Sequence, residues 1–110
     1  KDALKDVIYP SKSKEITTDL IINIVSEHFD VTPEDIRSQR RNAEFVIPRQ
    51  VYMYLCRELT DTQLINIAKT LGKKDHTTII HGIKKIEEEM KYNEELKNKI
   101  NIIKNILSPS

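Results

Sequence analysis

Glycine is scarce: Gly72 and Gly82 are the only two in 110 residues. No glycine-rich loop exists to wrap a nucleotide's phosphates, and the P-loop pattern is absent. The single cysteine, Cys56, rules out an internal disulfide and fits a reducing compartment. A lone cysteine of this kind reads as a small buried hydrophobe. Neither CxxC nor HExxH occurs, and His76 and His81, five residues apart, fall on different faces of a helix. No metal site is therefore expected. No Ser, His and acid grouping supports nucleophilic catalysis. These absences argue against an enzyme, a cofactor and a small-molecule substrate. No apolar run is long enough to cross a bilayer, and no secretory signal is visible, so the expected location is cytoplasmic. The chain starts at Lys1 without Met and reads as part of something longer.

Net charge is also small, +1, with 38% hydrophobic and 32% charged residues, as in a soluble globular domain. The charge is unevenly spread. Residues 1–35 carry four Lys and eight acids, a net of −4, and residues 86–110 carry four Lys and five acids, a net of −1. Residues 36–85 carry five Arg and five Lys against four acids, a net of +6. All five arginines (Arg37, Arg40, Arg41, Arg49, Arg57) fall within 21 residues. Arginine presents a rigid fork of donors suited to phosphate and guanine. A basic middle of this kind is the electrostatic footprint of a nucleic-acid binder.

Next to it, Leu64 to Met90 organises the chain. A periodic run ends at Leu71, and Gly72 follows where a left-handed helix stop belongs. Asp75 is a good N-cap for the next helix. Two helices joined through a short glycine-bearing turn make a helix-turn-helix. At about 100° per residue, Ile79, Ile83, Ile86 and Met90 form one stripe of the second helix. Thr77, His81, Lys84, Lys85 and Glu88 lie opposite. Such a helix suits a major groove, with short hydrogen-bonding side chains in its first turn and cations behind them.

The rest also reads as helices. Lys1 to Tyr9 resembles the end of a helix stopped by Pro10, and Ser11 to Lys14 a polar linker. A helix spans about Thr18 to Phe29, capped at Thr17 or Thr18. Thr32-Pro33-Glu34-Asp35 is a strong start for a short helix. Gln39 to Glu44 reads as a basic loop, and Pro48 as the start of the central helix, reaching about Leu59. On that reading Arg49 and Gln50 occupy a first turn, where free amides and the helix dipole favour an anion. Asn93 caps a last helix to about Leu107, ended by Pro109. No strand pattern and no internal repeat appears. The fold class is all-α.

The segments DHTTIIHGIKKIE and PRQVYMYLCRELT carry a specific resemblance. At roughly residues 15–107 the chain resembles the C-terminal DNA-binding domain of the bacterial replication initiators of the DnaA family, and ALKDVI at residues 3–8 resembles the connector helix from their ATPase. The resemblance implies a Trp-repressor-like compact bundle of about six helices, with residues 1–14 as connector end and linker and 15–110 as the DNA-binding domain. It implies binding of double-stranded DNA at short A·T-rich origin sites, in association with the nucleoid. The recognition helix, 76–91, would lie in the major groove, with Asp75, His76, Thr77 and Thr78 at base edges. Arg41 in the basic loop 39–44 would enter the neighbouring minor groove. Arg40, Arg49, Gln50, Arg57, Leu64, Lys74, His81 and Lys85 would hold the backbone. The implied partners are origin DNA, the rest of the initiator chain and its oligomer, and a weak contact with acidic membrane near the connector. The chain departs from the family pattern at Lys73-Lys74, commonly Gly-Arg, at Ile65, often Pro, and at Ala43 and Glu44, one of which is often basic. The alternative from a different class is a helical protein-interaction module whose polar face meets an acidic partner.

Overall fold

The computed structural model describes residues 16–108. The expected connector end and linker at residues 1–14, and the Pro109 stop, lie outside the described residues. Among those described, six helices follow one another without a strand. They are α1 (Thr18–Phe29), α2 (Pro33–Arg37), α3 (Ala43–Leu59), α4 (Leu64–Thr70), α5 (His76–Tyr92) and α6 (Glu94–Leu107). The all-α bundle expected from the sequence is the observed architecture.

Local chemistry sets most helix ends. Thr17 accepts a bond from the Leu20 amide at 3.1 Å and opens α1. Asp30 closes α1 in the left-handed region, at φ 58°. Thr32 and Asp35 form a reciprocal capping box, with bonds of 3.0 and 3.1 Å, and Pro33 fits the first turn of α2. Asn93 ends α5 and caps α6, accepting from the Leu96 amide at 3.0 Å.

α3 is the hub. It packs against α1, α2, α4 and α5, while α6 packs against α5 and α1. Its residues Val51 to Cys56 are buried without interruption, so it is covered nearly all round. Ile21 and Val25 from α1, Ile36 from α2, Ile67 and Ala68 from α4, Ile79 and Ile83 from α5 and Ile100 and Ile103 from α6 complete the core, each fully buried. Burying one of these Ile or Val side chains contributes roughly 1.5–3 kcal/mol. The Tyr52 hydroxyl, inside this core, is satisfied by Thr70 Oγ1 at 2.7 Å. Cys56 is fully buried, and burial pushes its thiol up to about 12.

One expected boundary is corrected. α3 begins at Ala43, not at Pro48, which lies inside the helix. Phe45 and Pro48 are both buried, so packing of the added turn holds the helical conformation through the proline. The helical cost of Pro48 is one missing donor toward the Glu44 carbonyl, one turn from the helix start. The loop between α2 and α3 is accordingly 38–42, and Ala43 and Glu44 belong to the helix.

Candidate nucleic-acid interface

The turn between α4 and α5 is built to start α5 sharply. The Lys73 amide donates to the Ala68 carbonyl at 2.9 Å and the Gly72 amide to the Lys69 carbonyl at 3.1 Å. This is a Schellman stop, and it requires the left-handed backbone that Gly72 adopts at φ 70°. Three residues later Asp75 accepts from the Thr77 amide at 3.0 Å and caps α5. That bond, more than any other influence, holds the Asp75 carboxyl below its ordinary range. Asp75, His76, Thr77 and Thr78 are all exposed, while Ile79 directly behind them is fully buried. The first turn of α5 therefore projects from the surface on an anchored helix.

The basic loop is held from beneath. Arg49 is 6% exposed and donates from Nε to the Ile36 carbonyl at 2.7 Å and from Nη1 to the Arg40 carbonyl at 3.0 Å. Its Nη2 donates to the Asp35 carbonyl and to Ser38 Oγ, both at 3.4 Å. The expected setting for Arg49 and Gln50 is corrected: with α3 starting at Ala43, they lie two turns inside the helix, away from its free amides. Here the guanidinium clamps the Ile36 and Arg40 carbonyls, and adds to the Asp35 carbonyl, which also accepts from the Ser38 amide and hydroxyl. Above it Arg40 stacks on the Phe45 ring at 5.2 Å, and Arg41 is exposed.

Between α3 and α5 lies an open cleft of about 360 Å³, lined by Val46, Arg49, Gln50, Met53, Lys73, Thr78, His81, Gly82 and Lys85. Five expected residues meet here: Arg49, Gln50, Thr78, His81 and Lys85. Arg57, Leu64 and Lys74 do not line it. Gly82 lets the two helices approach, because a Cβ there would collide with Met53 Sδ. Lys73 was not among the expected contacts, yet its ammonium donates to Gln39 Oε1 at 2.6 Å. Burial first, and then the charges of Arg49 and Arg41, lower the Lys73 pKa. Gly82 had a legible signal, a lone glycine on the border of an apolar stripe. The Lys73–Gln39 bond had none, because its partners are 34 residues apart.

A glycine-stopped α4, a capped α5 with an exposed polar first turn, and a cationic cleft beside it define a helix-turn-helix domain. The family described as bacterial dnaA protein helix-turn-helix matches residues 18–86. The chain belongs to that family. It is 41% identical over 110 residues to the chromosomal replication initiator protein DnaA of Lachnoclostridium phytofermentans, covering all of this chain and 24% of that relative. The protein of that name from Geobacter sulfurreducens is 42% identical over 104 residues, 94% of this chain and 23% of its own length. A crystal structure of a DNA replication initiation factor superposes with a TM-score of 0.73 at 36% identity, over 82% of this chain and 27% of that one. The chain thus spans about a quarter of the length of the curated relatives it matches.

Proposed function

We propose that this domain binds double-stranded DNA sequence-specifically, at short A·T-rich sites, and serves replication initiation as part of an initiator protein. The observation that carries the reading is that the exposed first turn of α5 and the basic loop 38–42 both adjoin the cationic cleft, Thr78 by lining it and the loop through its bonds to Lys73 and Arg49. Asp75, His76, Thr77 and Thr78 are the base-edge residues of this reading. Thr78 also lines the cleft, so it reads next to the backbone groups. Arg41 enters the adjacent minor groove, where A·T-rich sequence narrows the groove and deepens its negative potential. Gln50, His81 and Lys85 hold phosphates at the cleft. Arg40, Arg57, Lys74 and the main chain at Leu64 hold them around it. Arg49 takes the role of a loop support, since its donors already serve carbonyls. Relatives named as chromosomal replication initiators support the biological setting, in which the rest of the initiator chain and its oligomer are the further partners. The acidic-membrane contact expected near the connector falls on residues 1–14, outside the described residues.

The test is selection of a randomised duplex library on the domain, followed by titration of the winning site and of a random duplex at several salt concentrations. The expected result is an A·T-rich consensus, and affinity on both duplexes that falls steeply with salt. Enrichment of no sequence, with salt-independent binding, would overturn the reading in favour of a protein-interaction module.

A further inference from the structure

Two segments of the proposed DNA face are far apart in sequence and have no secondary structure in common. One is the loop 38–42, which carries Arg40 and Arg41; the other is the turn 71–75, which launches α5. A duplex read by both segments presents its major and minor grooves at a fixed spacing and twist, so the two reading heads need a fixed relative position. Arg49 fixes the base of the loop on α3 but does not reach the turn by a hydrogen bond. The hydrogen bond from Lys73 Nζ to Gln39 Oε1, at 2.6 Å, joins the two segments directly. Two further features favour this bond. Gly72, one residue before Lys73, has its Cα hydrogen side against Gln39, since a Cβ there would stand 3.7 Å from Gln39 Nε2. Among the described residues, the ion-pair contacts join His76 to Asp75 and Lys91 to Glu88, so no carboxylate competes for Lys73. The Gln39 amide is the neutral acceptor that lets a third cation sit beside Arg41 and Arg49 without cancelling a charge.

We propose that Lys73 and Gln39 are specificity-determining positioning residues: their bond holds the minor-groove loop in register with the recognition helix. The proposal rests on the DNA-binding reading. In the free domain the bond pre-orders the loop, so less conformational entropy is lost when both grooves are engaged. The bond adds nothing on a random duplex, where phosphate contacts alone hold the protein.

The experiment uses the site selected above, a version with one base pair inserted between its major-groove and minor-groove halves, and a random duplex. Wild type, Gln39→Ala, Lys73→Met and the double variant are titrated on all three, with circular dichroism to confirm the helical fold. Gln39 is exposed and its removal changes no charge. Gln39→Ala is expected to lose about three- to tenfold on the intact site. It should keep wild-type affinity and salt slope on random DNA, and show a smaller penalty for the inserted base pair. Lys73→Met also loses a cation, so it weakens random binding as well. In the double variant the loss on the intact site should be less than the product of the two single losses. Unchanged affinity and insertion penalty in Gln39→Ala, in a domain whose wild type is selective, would overturn this proposal alone. A wild type with no preference among the three duplexes would overturn the DNA-binding reading as well.

Discussion

Thr77 and Thr78 concentrate the proposed specificity in two residues. Each carries a methyl for a thymine and a hydroxyl for a base edge or phosphate, and both are exposed in the first turn of α5. Their surroundings differ, since Thr78 borders the cleft and Thr77 does not. Thr77→Ala and Thr78→Ala are each expected to cost about 1–3 kcal/mol on the selected site and much less on random DNA. Paired titrations check this; losses in equal proportion on both duplexes in both variants would remove the threonines from sequence readout. Cys56 shows the opposite residue behaviour. It is fully buried and its thiol is pushed up to about 12, so almost no thiolate exists near neutral pH. Alkylation of the native domain by a maleimide should therefore proceed only through its unfolded or opened form, and so very slowly. Rapid labelling under native conditions would contradict the packing of α3. The reading of Cys56 as a small hydrophobe was available from the sequence, because one thiol with no metal-ligating neighbours has little else to do.

At the scale of elements, α5 depends on a stop, a turn and a cap within Leu71 to Asp75, and all three were legible as residue types. Gly72 and Asp75 act through backbone geometry and a single local bond, which no tertiary contact needs to supply. The pH response follows from that cap. The Asp75 carboxyl is depressed in the folded state, so its contribution is complete above the ordinary carboxylate range and fades as pH falls through the depressed value. Acidification should shift the Thr77 amide resonance in the wild type. In Asp75→Asn, where the cap oxygen remains but the charge does not, that acid-dependent shift should vanish; an identical titration in both proteins would remove Asp75 as its source. α3 is the element that sequence signals placed least well. Pro48 is a strong start signal, yet burial of Phe45 and Pro48 extends the helix back to Ala43. The gain from packing those side chains outweighs the loss of one backbone bond, and only the surroundings of α3 decide that balance.

Across the whole molecule, charge and packing divide the basic residues into two kinds. Lys85 is exposed at the cleft, whereas Arg49 is spent on the carbonyls beneath the loop. Lys85→Ala is expected to leave thermal stability nearly unchanged and to lower the log–log salt slope on random DNA by about 0.9, one phosphate. Arg49→Met should do the reverse, destabilising the fold by about 1–3 kcal/mol through stranded acceptors while leaving the slope nearly intact. Thermal unfolding and salt-dependent titrations of both variants separate the two roles. A salt slope lowered by Arg49→Met with stability unchanged would return Arg49 to the phosphate contacts.

By itself the sequence determined the all-α class, the helix-turn-helix and the exposed first turn of α5. These follow from local rules, namely the period of the apolar residues, the caps at Thr17, Thr32, Asp75 and Asn93, and the one glycine where a left-handed residue is needed. Tertiary structure alone decided which cations are free to meet a ligand. Arg49 and Arg41 carry the same side chain eight positions apart in one basic stretch. One is folded under the loop with its donors committed, and the other is exposed above it. Tertiary structure also brought Gln39 to Lys73, 34 residues away. A side chain's hydrogen-bond partners depend on which backbone arrives beside it, and that is settled only when α2, α3 and α5 have packed.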